Sequence, residues 1–220
     1  MPNPEPFLVP THYNNKGELA EIYATFSSDW QPDLPISTKK HENLHIGCGH
    51  NAYPQMLNLD ILTNVAAEVV ANVDLPPHHH LPFKDNSFHA IHSSMTLEHI
   101  NNFMRFGEEC YRTLKHGGLL DTVVPWWSSY RTWGDPTHVR SFNNQTFTFW
   151  VREKINEGRG TSARGDYPFK GHFILTRSFL ILNDQLKPLS TKDRNHAIMH
   201  QINTVDAYCI TLRAIKKDSK

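Results

Sequence analysis

The 220-residue chain has few cysteines, no net charge and no long apolar run. Its three cysteines, Cys48, Cys110 and Cys209, lie far apart and form no Cys-x-x-Cys pair. That spacing argues against a disulfide frame or a zinc ribbon and suits a reducing, cytoplasmic compartment. Basic residues number 22 and acidic residues 22, so bulk electrostatics offer nothing to a nucleic-acid partner. No stretch approaches the roughly 20 apolar residues that a membrane span needs. The opening Met1-Pro2-Asn3-Pro4-Glu5-Pro6 has no basic region followed by an apolar one, and is expected not to be a signal peptide. Histidine is abundant, with 15 in all, so positive charge would build quickly below about pH 6.5.

The stretch that organises the chain is Leu44-His45-Ile46-Gly47-Cys48-Gly49, a short apolar strand running into two glycines one residue apart. Leu57-Asn58-Leu59-Asp60 follows, a second strand ending in a carboxylate. An open α/β sheet holds a nucleotide-like cofactor in this way: a glycine turn lets backbone approach the ligand, and an acid accepts from a ribose diol. Only seven residues, 50–56, separate the glycines from the second strand, so a turn is expected there and not a crossover helix.

Further along, 67–73 and 88–92 read as strands, 96–100 as the start of a helix, and 119–124 as a fifth strand stopped by Pro125. Residues 103–114 carry Phe103, Phe106, Cys110, Tyr111 and Leu114 at three- and four-residue steps, an amphipathic helix that Gly117-Gly118 would cap. Residues 1–12 read as irregular, and 16–26 as a helix with Leu19, Ile22, Tyr23 and Phe26 on one face. After an aromatic stretch, 145–157 reads as a helix and 157–170 as a glycine-bearing loop. Segments 173–182 and 207–215 read as a closing antiparallel strand pair divided by a polar stretch, 183–201. Alternation of strands and helices predicts an α/β, Rossmann-like, doubly wound and mostly parallel sheet. One domain over 1–220 is expected: a lid or helix in 1–40, a cofactor half in 41–125, and acceptor loops and closing strands in 126–220.

These residues resemble class I S-adenosylmethionine-dependent methyltransferases, above all the group acting on small molecules and glycans. The likeness runs over about 43–147: Leu-His-Ile-Gly-Cys-Gly, Leu-Asn-Leu-Asp, Asp74-Leu75 before Leu81-Pro82-Phe83-x-Asp85-Asn86-Ser87-Phe88, Leu97-Glu98-His99, and Leu114-Lys115-x-Gly117-Gly118. It implies a seven-stranded sheet and S-adenosylmethionine as cofactor, with S-adenosylhomocysteine as product. Gly47, Cys48 and Gly49 would form a backbone floor, and Asp60 with Ile61 would hold the ribose. Asp74 and Leu75 would meet the adenine, Ser93 and Ser94 would sit near the sulfonium and amine, and Tyr13 would reach in from the lid. The sequence departs from the family at His89 and His116, which stand where an acid and a proline are usual.

The loop after the fifth strand resembles the family's Asp-Pro-x-His-x-Arg segment. His138 is the candidate general base, Asp135 its orienter, and Glu98 and His99 the second candidates. Alternatively Asp135 and His138 only fasten the loop. Trp126, Trp127, Tyr130, Trp133 and Arg140 are the candidate acceptor contacts, since flat rings cover the C–H faces of sugars. The expected function is O-methylation of a sugar or glycan hydroxyl. The alternatives are N- or O-methylation of a metabolite, protein side chain or nucleobase, and an inactive cofactor-binding module. His78-His79-His80 reads as an exposed loop, unsupported by a helical His-x-x-x-His pair. No metal is predicted, although a divalent ion at Asp135 and His138 stays open.

Overall fold

The computed structural model describes residues 7–13, 19–27, 29, 36–151 and 169–216. Among the described residues nine strands form one mixed sheet in the order β1 (Phe7–Tyr13), β2 (Leu19–Phe26), β8 (Phe173–Leu182), β9 (Val205–Ala214), β7 (Leu114–Pro125), β6 (Phe88–Ser94), β3 (Asn43–Ile46), β4 (Leu57–Asp60) and β5 (Val69–Val70). The parallel heart is β3 (Asn43–Ile46), β4 (Leu57–Asp60), β5 (Val69–Val70), β6 (Phe88–Ser94) and β7 (Leu114–Pro125). Because these strands run parallel, the turns after all five emerge along one edge of the sheet, which is where open α/β sheets bind ligands. The expected closing pair is present: β8 (Phe173–Leu182) lies antiparallel to β9 (Val205–Ala214), which lies antiparallel to β7. The ten residues between β3 and β4 contain turns and no helix, as their length requires.

The N-terminal segment differs from expectation. Residues 7–13 are strand β1 (Phe7–Tyr13), and the predicted helix over 16–26 is strand β2 (Leu19–Phe26), parallel to β8. Within β2, Ile22 and Ala24 are buried while Tyr23 is 51% exposed, an alternation of period two. Residues 19, 22, 23 and 26 follow the helical period, but Ala20, Ile22, Ala24 and Phe26 follow the strand period equally well, and pairing with β8 selects the strand. The sheet therefore has nine strands, not seven. The C-terminal correction is the reverse: within the polar stretch lies α3 (Thr191–His200), capped by the Ser190 side chain accepting from the Asp193 amide. It carries the pair His196 and His200, with rings 4.5 Å apart, so a helical His-x-x-x-His pair does exist.

The long amphipathic helix is α1 (Phe103–Thr113). Gly117-Gly118 does not cap it: α1 passes into β7 at Leu114, whose backbone is extended, and Gly117 sits within the strand at φ +76°. The helix expected at 96–100 is a single 3-10 turn, Leu97–His99, and of 145–157 a 3-10 turn spans Thr146–Phe149. The remainder of that segment, from 152, and most of the expected loop 157–170 lie outside the described residues.

α1 packs on the sheet face formed by Leu44, Ile91 and Leu120, under a lid of Phe142, Phe147, Trp150 and Phe173. Trp150 stacks on Phe103 at 4.2 Å and lies against Gly107, where an added Cβ would stand 2.4 Å from the indole. Helical propensity alone would favour alanine there. Gly107→Ala is instead expected to destabilise the fold by about 1–3 kcal/mol, because the indole is clamped among rings and cannot yield. Equal or greater stability in urea melts would refute that packing.

The opposite face carries a polar row that crosses six strands, buried but for the half-buried Arg177 at its end: Asn58, His45, His92, Asp121, Thr211 and Arg177 are successive register partners. His92 Nδ1 is 2.9 Å from Asp121 Oδ2, Thr211 Oγ1 donates to Asp121 Oδ1 at 2.6 Å, and His45 Nδ1 is 3.2 Å from Asn58 Oδ1. Burial, with His92 nearby, drives the His45 pKa down to about 4. No local motif marks this row, because its members meet only through strand pairing.

Candidate active site

The glycine turn after β3 is held to β4, with the Gly47 and Cys48 amides donating to the Leu59 carbonyl at 2.8 and 3.2 Å. Gly47 has φ +69° and Gly49 φ +48°, the left-handed region that disfavours side chains. At Gly47 a Cβ would also stand 2.1 Å from Thr96 Oγ1, whereas at Gly49 it would project into open space. Asp60, 7% exposed, accepts the Gly49 amide on Oδ2 at 2.8 Å and the Leu62 amide on Oδ1 at 2.9 Å. Each oxygen keeps a lone pair for a further donor. Beside it Ile61 is 60% exposed, an apolar surface next to a carboxylate. The Cys48 thiol is buried, and burial raises its pKa.

Asp74 is more heavily used than the sequence suggests. It accepts from the Asn101 amide and side chain and from the Asn102 amide, at 3.1, 2.8 and 2.8 Å. Burial opposes its charge, but these donors and Arg140 outweigh it and hold its pKa below the usual value. It thereby fixes the entry to α1, and Leu75 joins in by accepting from Asn102 Nδ2 at 3.0 Å. Ser93 is fully buried and its hydroxyl has no partner; Ser94, half-buried, accepts Thr96 Oγ1 on its carbonyl. Tyr13 lies in β1, six strands from β3 in the sheet order.

The second cluster combines two segments distant in sequence. The 3-10 turn Leu97–His99 follows β6, and the loop after β7 contains the short helix α2 (Tyr130–Trp133) and then Asp135 to Arg140. The Val139 amide donates to the Glu98 carbonyl at 2.8 Å, docking one segment on the other. His138 Nε2 then stands 3.9 Å from Glu98 Oε1 and 3.8 Å from Asp135 Oδ2, and its ring meets that of His99 edge-on at 4.6 Å. His138 Nδ1 is 2.9 Å from the Thr132 carbonyl, which can only accept, so Nδ1 carries a proton and in the neutral ring Nε2 is the atom with the lone pair. Glu98 is 1% exposed and its Oε2 has no partner. Burial, helped by the Asp135 charge, pushes its pKa up to about 7. The predicted quartet Glu98, His99, Asp135 and His138 is therefore brought together.

The predicted aromatic contacts divide. Trp126 is core, packed on Tyr208, while Trp127, Tyr130 and Trp133 are 50%, 56% and 71% exposed. Arg140 is not a free cation. It donates to the Ile100 and Asn101 carbonyls at 3.1 and 2.7 Å and lies over the Phe103 ring, and burial lowers its pKa. It lines a cavity of about 520 Å³ with Asn101, Phe103, Asn143, Thr146 and Phe149.

Residues 44–121 match the model of a methyltransferase domain family. The fold is that of an S-adenosylmethionine-dependent methyltransferase from Archaeoglobus fulgidus, with TM-score 0.54 and 15% identity over 80% of this chain and 87% of that one. It is likewise that of one from Mesorhizobium loti, with TM-score 0.51 and 12% identity over 82% and 93%. No curated protein matches in sequence. The domain and fold imply S-adenosylmethionine as cofactor, and the residues present fit it. Asp60 has two lone pairs to spare, the space beside Gly49 is open, and a buried Ser93 hydroxyl awaits a partner. Among the described residues no helix is long and apolar enough to cross a membrane.

Proposed function

We propose that this chain, which carries a methyltransferase domain of the class I S-adenosylmethionine-dependent fold, O-methylates a hydroxyl of a sugar or glycan. The observation that carries the reading is the quartet Glu98, His99, Asp135 and His138 at the sheet edge that also holds Gly47, Gly49 and Asp60. S-adenosylmethionine supplies, when bound, a methyl group activated by its sulfonium. Asp60 would accept from the ribose hydroxyls, with Ile61 against the adenosine and the glycine turn beneath. Asp74 and Leu75 would line the adenine end while fixing α1.

Methylation of an alcohol needs the hydroxyl proton taken as the new bond forms. His138 Nε2 is the group suited to take it, since its lone pair faces outward from the Thr132 anchor. The imidazolium formed would be stabilised by Glu98 and Asp135, both within 4 Å. The exposed rings of Trp127, Tyr130 and Trp133 supply flat apolar faces beside this cluster, the chemistry that binds sugar C–H faces. Zero net charge disfavours a long polyanionic acceptor.

Calorimetric titration with S-adenosylhomocysteine tests the premise. The native chain is expected to bind, and Asp60→Asn to bind about 10- to 100-fold more weakly, since one charge-assisted acceptor pair is lost at constant shape. Absence of binding to the native chain would overturn the assignment, as would equal affinity in the variant.

A further inference from the structure

The quartet at the sheet edge has donor geometry that a proton alone does not explain. His138 Nε2 offers a lone pair toward two carboxylate oxygens, at 3.8 and 3.9 Å, too far for hydrogen bonds and with no proton of its own to share. His99 follows the same logic. Its Nδ1 is 2.9 Å from Thr137 Oγ1, whose single hydroxyl proton goes to Asp135 Oδ1 at 2.7 Å. The hydroxyl therefore accepts from His99 Nδ1–H, and His99 Nε2 is left as a lone pair. A backbone carbonyl on one imidazole and a hydroxyl–carboxylate relay on the other are the outer partners that fix metal-ligating histidines in this tautomer. Glu98 adds a buried Oε2 without a partner. One donor atom from each of Glu98, His99 and His138 lies within 4.8 Å of the other two.

We propose that Glu98, His99 and His138, with Asp135 at the rim, bind a divalent first-row transition ion, zinc foremost. Donor atoms each about 2.1 Å from an ion stand roughly 3.4 Å apart at the tetrahedral angle and about 4.2 Å apart when opposite. The 3.9 Å from His138 to Glu98 falls between these limits, as does the 3.8 Å from His138 to Asp135 at the rim, while the His99 donor lies within 4.8 Å of the other two and closes in by a side-chain adjustment as the ion binds. Two imidazole nitrogens with a carboxylate select zinc and its neighbours over magnesium or calcium, which prefer all-oxygen shells. Three protein ligands leave a position open, as in catalytic and not structural zinc sites.

The proposal rests on reading this cluster as the acceptor site. There the ion would bind the acceptor oxygen and lower the pKa of its hydroxyl, the proton leaving to solvent. His138 Nε2 would then serve as ligand and not as base. The other histidine groupings are poorer sites. His80 is bound to Glu109, and His196 with His200 on α3 offers two donors.

The test is a zinc titration of chelator-stripped protein by competition with a chromophoric chelator, followed by cobalt substitution to record d–d absorption. One equivalent is expected. His99→Ala, at an exposed position, and His138→Ala are each expected to weaken binding by about 100-fold or more, with loss of the cobalt spectrum. His79→Asn and His200→Asn are expected to bind as the native chain does. Failure to bind one equivalent, or binding lost in His200→Asn and kept in His99→Ala, would overturn the site. S-adenosylhomocysteine titrated into the same preparations keeps the two readings apart: binding of the nucleoside without zinc refutes the metal site alone, and zinc without the nucleoside refutes the methyltransferase premise.

Discussion

His138→Ala is expected to lower turnover by about a hundredfold or more while S-adenosylhomocysteine affinity stays within about twofold. General-base assistance is worth about 10² to 10⁴ in rate, and the variant removes the lone pair proposed to take the acceptor's proton. The residues proposed to hold the cofactor stand apart from it: Gly47 and Cys48 hang from Leu59, and Asp60 from Gly49 and Leu62. The split between turnover and affinity is what separates this role from a structural one, because a loop merely unfastened from Thr132 would loosen acceptor binding first. Rates measured at saturating acceptor, with calorimetry on the same protein, give both numbers. Native turnover in the variant would remove His138 from the chemistry, whether its Nε2 takes a proton or an ion.

The largest loss of stability should follow Glu109→Ala. Glu109 lies on α1 at 1% exposure, and five donors converge on it. Oε1 receives His80, Arg105 and Arg112, at 2.9, 3.0 and 2.9 Å, and Oε2 receives the Leu81 amide and Arg112, at 2.7 and 2.8 Å. The network fastens the His78-His79-His80 loop to the helix, so the loop is tied at its C-terminal end. Removing the carboxylate leaves the buried Leu81 amide without its acceptor and takes two hydrogen bonds from Arg112, which keeps Asp85 and the Phe83 and Leu81 carbonyls, at a cost of about 3–5 kcal/mol. For a chain of this size that is a fall in Tm of about 6–20 °C. Burial by itself would raise the Glu109 pKa, but the donors from Arg112, His80 and Leu81 overcome it and hold the value at about 2. The stabilisation is therefore complete above the ordinary carboxylate value of 4.5, and it is lost as pH falls from there through about 2. Circular-dichroism melts at pH 7 and along a series from pH 5 to 2 should show both effects. A loss under about 1 kcal/mol at pH 7, or a native chain whose melts do not fall across that series, would contradict the network.

Much of the parallel half of the sheet was legible because its signals are local. A strand that runs into Gly47-Cys48-Gly49 has few backbone choices, since φ is positive at both glycines. An acid at the end of the next strand follows from spacing, and the period of Phe103, Phe106 and Cys110 specifies α1 without reference to the rest of the chain. The strand pair β8 and β9 was equally plain from its apolar runs. Where patterns were short or weak, neighbours decided. Residues 19–26 fit either period until β8 paired with them. The helix α3 has no apolar stripe, and its signal was the Ser190–Asp193 cap alone.

By itself, then, the sequence determined the glycine turn, the acid that ends β4 and the parallel strands that align them, each set by bonds and sterics within a few residues. Only the tertiary structure decided that Glu98 and His99 meet Asp135 and His138, that Thr132 and Thr137 partner the Nδ1 atoms of His138 and His99, and that His92 shares Asp121 with Thr211. Those contacts join strands and loops far apart along the chain. The free energy that holds them comes from burial and pairing across the sheet, which no short window of residues contains.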